Sequence, residues 1–98
     1  MKLKDGVIMA GLDIRMRQAL IKMDSVYKMY QQELTITSGL DGCHSAGSLH
    51  YYGLALDIRT RFFTNDQKMK CHRRLVDDLG LCFKVILEKT HIHIQYKL

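Results

Sequence analysis

The chain has 98 residues, 47% of them apolar, and 15 Lys plus Arg against 10 Asp plus Glu. Residues 1–98 are therefore read as a single folded domain with one core, which excludes a large multidomain machine and a disordered chain alike. The net charge of +5 suits an anionic partner or a solvated basic surface, and no run approaches the ~20 apolar residues of a membrane span.

Gly6 to Leu12 is an apolar run behind Met1-Lys-Leu-Lys, but Asp5 and Asp13 bracket it and no small-residue cleavage site follows. No signal peptide is expected, and synthesis in the cytoplasm is. Leu12, Met16, Ala19, Leu20, Met23, Val26, Tyr27 and Tyr30 then recur at helical spacing, with Arg15, Arg17, Lys22 and Lys28 elsewhere on the wheel. They predict a long amphipathic helix whose methionines fill the core. Leu34 to Ser38 is a short β-prone run, and Gly39 to Gly47 carries the glycines and polar residues of a loop.

From Leu54 the pattern alternates, so Leu56 and Ile58 face the core while Asp57 and Arg59 face away. Thr64 with Gln67 three residues on is a capping-box pattern, which opens a second helix ending before Gly80. His72, on the polar side of that helix, is expected to be solvated. Phe83 to Leu87 and Ile92 to Tyr96 read as strands joined by a tight turn at Lys89 and Thr90. The predicted class is α+β, a mainly antiparallel sheet of about four strands with two helices on one face and a metal site on the open face. The cysteines Cys43, Cys71 and Cys82 are odd in number without paired spacing, so no disulfide framework is expected.

Chemistry concentrates in Ser48-Leu-His-Tyr-Tyr-Gly-Leu-Ala-Leu-Asp57 and in Glu88-Lys-Thr-His-Ile-His93. His50, Asp57 and one histidine of the His91/His93 pair supply three nitrogen or oxygen ligands and leave a fourth position for water, the pattern of a hydrolytic zinc centre. Glu88 is a spare carboxylate able to take a proton. On the last strand His91, His93 and Gln95 share one face, and Ile92 and Ile94 anchor the other. Gly53 and Ala55 read as small residues that leave room around the metal. Arg59 and Arg61 fit either an ion pair with a nearby Asp or a bidentate grip on a substrate carboxylate.

Taken jointly, Ser48-x-His50-x-x-Gly53-x-Ala55-x-Asp57, then a carboxylate and His91-x-His93, resemble the zinc D-Ala-D-Ala metallopeptidases. That family includes bacterial carboxypeptidases, phage endolysins and the hedgehog signalling domain. Thr37-Ser-Gly39, Asp41-Gly, His44-Ser45, Arg59-Thr60 and Val85-Ile-Leu-Glu88 extend the similarity over most of residues 35 to 96, and the size is that of members encoded by small bacteriophages. The resemblance implies that His50, Asp57 and His93 bind Zn2+, that Glu88 activates water, that His91 stabilises the oxyanion, and that Ser48 and His44 contact substrate. Cys43 beside His44 is read as filler, a thiolate being out of place in this ligand set.

The implied reaction is hydrolysis of peptide bonds next to D-alanine in peptidoglycan stem peptides, by a monomer acting on the bacterial cell wall. One departure stands out: many members place an acidic residue three positions before the last zinc histidine, and this chain has Thr90 there. That difference keeps a second reading open, a zinc-binding module without turnover. A third, a small basic nucleic-acid-binding domain, rests on charge alone and lacks an aromatic-basic motif.

Overall fold

In the computed structural model, which describes residues 1–41 and 48–97, two helices pack on one face of a five-stranded sheet. The elements in chain order are β1 (Lys2–Leu3), α1 (Ile14–Met29), β2 (Thr35–Ser38), a 3-10 turn (Leu49–Tyr52), β3 (Ala55–Arg59), α2 (Asn65–Leu79), β4 (Phe83–Leu87) and β5 (His91–Tyr96). Across the sheet the order is β1-β2-β3-β5-β4, with β1 parallel to β2 and every other pair antiparallel. The α+β class and the antiparallel sheet agree with the sequence.

The fifth strand is β1, and two residues carry no readable period. Lys2 and Leu3 become a strand only because they lie alongside Thr35 and Ile36, where the Lys2 and Lys4 N–H groups donate to the Leu34 and Ile36 carbonyls at 2.7 and 2.9 Å.

Helix α1 begins two residues later than its first apolar position because Asp13 is the N-cap. Its carboxylate accepts from the Arg15 backbone N–H and meets the Arg15 guanidinium, each at 2.8 Å. Those hydrogen bonds hold the Asp13 carboxyl down to about 2. Met16, Ala19, Met23, Val26 and Tyr27 form the buried stripe of α1. At α2 the capping box is present as expected: Thr64 Oγ1 accepts from the Gln67 N–H at 3.2 Å, and Gln67 Oε1 accepts from the Thr64 N–H at 2.9 Å. Cys71, Leu75 and Leu79 are its buried face.

Both stripes close over Ile36, Leu56, Ile58, Ile92 and Ile94, all fully buried. Each such side chain contributes roughly 1.5–3 kcal/mol on leaving water. Because alternation has period two, burying Leu56 and Ile58 forces Asp57 outward, and burying Ile92 and Ile94 forces His91, His93 and Gln95 onto the same outer face. The core thus sets the site.

One expectation is corrected, and one residue gains a backbone cause. His72 is half-buried rather than solvated, and its Nε2–H donates to the Val85 carbonyl at 2.9 Å. That carbonyl belongs to the sheet's edge strand β4, so the imidazole satisfies a backbone group that lacks a neighbouring strand. Gly53 is required by the backbone itself. It sits at φ +70, and a Cβ there would stand 2.4 Å from the Gly11 carbonyl oxygen. The chain before α1 crosses at this point, where the Asp13 N–H donates to the Gly53 carbonyl at 3.0 Å.

Candidate metal centre

His50, Asp57 and His93 come together from three separate elements. His50 rides on the 3-10 turn, which Ser48 caps by accepting the His50 backbone N–H at 3.2 Å. Ser48 thus has a structural task, positioning His50. Asp57 and His93 face each other across the β3–β5 ladder. His44 and Cys43 lie outside the described residues.

The donor atoms meet closely. His93 Nδ1 is 2.8 Å from Asp57 Oδ1, His50 Nε2 is 3.4 Å from that oxygen, and the two ring nitrogens are 3.3 Å apart. A tetrahedral ion with ligands at ~2.0–2.1 Å sets its donors ~3.3 Å apart, so the two edges at His50 match a tetrahedral face, while the His93–Asp57 edge is drawn in to hydrogen-bond length. These three residues lie close enough to bind a metal ion.

The remaining ring nitrogens are engaged on their outer sides. His50 Nδ1 lies 2.9 Å from the Gly39 carbonyl, which can only accept, so that nitrogen carries a proton and Nε2 is the ring atom turned inward toward Asp57 and His93. His93 Nε2 lies 2.8 Å from Gln95 Oε1, which fixes the ring so that Nδ1 faces Asp57. Such outer hydrogen bonds orient metal-binding imidazoles. Gln95 and the Gly39 carbonyl were not assigned these roles from sequence. For Gln95 a signal existed, two residues beyond His93 on the same strand face; for a backbone carbonyl 11 residues from His50 none did.

Electrostatics match this geometry. Burial pushes the Asp57 carboxyl upward, but hydrogen bonds from His50 and His93 and the charges of His50 and His91 more than offset it, leaving it well below the usual carboxylate range. The hydrogen bond to Asp57 raises the His93 pKa, with burial acting against it and Gln95, Asp57 and Glu88 acting with it. A proton held between His93 and Asp57 occupies the lone pairs that a metal would use.

His91 stands at the margin. Its Nε2 is 3.8 Å from Asp57 Oδ1, and its Nδ1 is 3.0 Å from Thr90 Oγ1. Of the two strand histidines, His93 is the one in the triad. Glu88 ends the β4–β5 hairpin, where its N–H donates to the His91 carbonyl at 2.9 Å. Alternation along β4 sets Glu88 on the face of Ile86, which pairs with His93. The residue is exposed.

Beside Asp57 the open face holds a cleft of about 380 Å³ lined by Lys4, Thr37, Ser38, Asp57, Arg59, Arg61 and Thr90. Among the described residues neither arginine pairs with an aspartate, so the ion-pair reading of Arg59 and Arg61 finds no partner there. Among the described residues no helix is long and apolar enough to cross a membrane. No protein-family model and no curated protein matches the chain.

Proposed function

We propose that the chain is a zinc-dependent peptidase that hydrolyses peptide bonds next to D-alanine in peptidoglycan stem peptides. The observation that carries the metal half of this reading is the His50–Asp57–His93 triangle, whose donor atoms converge closely enough for one ion, with both outer imidazole nitrogens already held. Two imidazoles and one carboxylate form the mixed donor set that zinc takes in open hydrolytic sites. The substrate half rests on the resemblance of Ser48-x-His50-x-x-Gly53-x-Ala55-x-Asp57 and His91-x-His93 to the zinc D-Ala-D-Ala metallopeptidases.

Zinc bound by these three residues would supply Lewis acidity to a peptide carbonyl and to water. Glu88 is the base in this scheme: it takes a proton from water on the histidine face of the sheet and returns it to the leaving amine. Its position at the hairpin end, on the His93 face and near enough for its charge to act on His93, supports that role. The His91 Nε2–H donates to the oxyanion, with the ring held from behind by the Thr90 hydroxyl. Exposure of Glu88 and His91 toward the open face leaves an extended peptide room to lie across β5.

A second reading, a zinc module without turnover, is favoured by one observation. Thr90 occupies the place where many relatives in the resembled family carry the acid, and its hydroxyl is engaged with His91. Mass spectrometry of purified peptidoglycan fragments incubated with the zinc-loaded protein separates the two. Loss of D-alanine or opening of a stem-peptide crosslink supports the peptidase; unchanged fragments with zinc still bound support the module.

A further inference from the structure

The Gly39 carbonyl that holds the His50 ring is itself held from behind. Asp41 Oδ1 accepts two backbone N–H groups at 2.8 Å each, one from Gly39 and one from Ile8 in the chain before α1. Ile8 lies outside every strand, yet both of its backbone groups are taken up here, because its carbonyl accepts the Leu40 N–H at 2.8 Å. The approach is close. A Cβ on Gly39 would stand 2.4 Å from the Ile8 carbonyl oxygen, so glycine is what lets the two segments meet.

The same N-terminal stretch braces the other end of the His50 turn. There the Asp13 N–H donates to the Gly53 carbonyl at 3.0 Å, and the Gly53 N–H in turn donates to the His50 carbonyl at 3.1 Å. Residues 8–13 thus bridge the acceptor behind the His50 ring and the cap that closes its backbone turn. His50 needs such bracing more than the other two members of the triangle do. Asp57 and His93 sit on paired strands, whereas His50 rides on a 3-10 turn of 4 residues.

We propose that Asp41 is a positioning residue for His50: its carboxylate locks Gly39 to the N-terminal stretch and so fixes the carbonyl that turns His50 Nε2 toward Asp57 and His93. The assignment rests on the metal-centre reading above and extends it to a carboxylate outside the triangle. One carboxylate oxygen has room for two N–H donors, which is how a single side chain ties two segments together. Without it both N–H groups turn to water, the Gly39 peptide gains freedom to rotate, and the ring that follows its carbonyl loses a fixed direction. Removing an outer partner of a metal-binding imidazole costs about 10–100-fold in affinity. Asp41 acts through one more hydrogen bond, so the low end of that range, about 10-fold, is expected.

The test uses the full chain with Asp41→Ala and Asp41→Asn, metal-free and zinc-loaded. NMR of the metal-free protein follows solvent exchange of the His50 Nδ1–H, and competition with a chelator of known affinity reads zinc binding. Asp41→Ala should speed that exchange and weaken zinc about 10-fold. Asp41→Asn, whose amide oxygen can accept the same two N–H groups, should restore both readouts. All are taken well below each variant's thermal midpoint. A role confined to stability would then lower the midpoint and leave both readouts at wild-type values, which would overturn the proposal.

Should Asp41→Ala fail to fold, Asp41→Glu moves the acceptor by one methylene and is expected to shift the same two readouts in the same direction. Failure of Asp41→Asn to rescue either readout would also count against it, since an acceptor at that position is what ties Gly39 to Ile8. If the wild-type protein binds no zinc, the metal-centre reading falls. The Nδ1–H exchange then decides by itself whether Asp41 positions His50.

Discussion

Asp57 and His93 are direct partners on adjacent antiparallel strands, and His93 Nδ1 lies 2.8 Å from Asp57 Oδ1. A ladder fixes such a pair more firmly than a loop can, because Leu56, Ile58, Ile92 and Ile94 on the opposite face are buried and forbid any slip of register. His50 completes the triangle from a short turn whose shape depends on the Ser48 cap and the Gly53 backbone.

The two strand histidines should separate by function. His93→Ala is expected to abolish tight zinc binding, as is the His50→Ala, Asp57→Ala double variant, whereas His91→Ala should keep about one zinc per chain and lose mainly turnover. A metal titration of the purified variants checks this, and retention of zinc by His93→Ala with loss in His91→Ala would exchange their roles.

Glu88→Gln should retain zinc and lose hydrolysis by about 10²-fold or more, since it removes a base and leaves the ligands intact. Single-turnover assays on a stem peptide at matched zinc content measure it. Normal turnover would place the base elsewhere.

Gln95→Leu removes the acceptor behind His93 without touching a ligand. Zinc affinity is expected to fall by roughly 10–100-fold, the usual effect of deleting such a partner. Competition with a chelator of known affinity reads the change, and an unaltered constant would mean that the β5 backbone alone orients the ring.

Acidification should displace zinc early. The His93 pKa is raised, first by its hydrogen bond to Asp57, so protons compete for Nδ1 from a pH above the ~6.5 of an ordinary histidine. In the metal-free protein the same pair has the opposite sign for stability. The raised His93 contributes below its unfolded pKa and loses that contribution as pH rises through the folded one. The depressed Asp57 contributes above ~3.8 and loses it as pH falls further. Thermal melts of the metal-free protein should show the pair's contribution between those limits, and Asp57→Asn should flatten it.

Reductant should leave the thermal midpoint unchanged. Cys71 is fully buried on α2, where burial pushes its thiol up to about 12, and Cys82 is an exposed free thiol. A thiol reagent should therefore label Cys82 in the native protein and Cys71 only after unfolding. A fall in midpoint on adding reductant, or native labelling of Cys71, would contradict this.

The sequence by itself determined the elements and their faces, because the 3.6-residue stripe of α1, the Thr64/Gln67 box and the alternation through Asp57 and His93 are local patterns that burial obeys. It also determined which residue types could hold a metal. Only the tertiary structure decided that His93 joins His50 and Asp57 while His91 stays at the rim, since alternation puts both imidazoles on one face and only the β3–β5 register sets His93 opposite Asp57. Likewise only the tertiary structure supplied the Gly39 carbonyl behind His50, made Lys2 and Leu3 a strand, turned His72 to the edge of β4, and left Arg59 and Arg61 without aspartate partners among the described residues. Each of these depends on chain segments far apart in sequence, whose meeting is set by how the two helices and the sheet close over one core, and no local period encodes that.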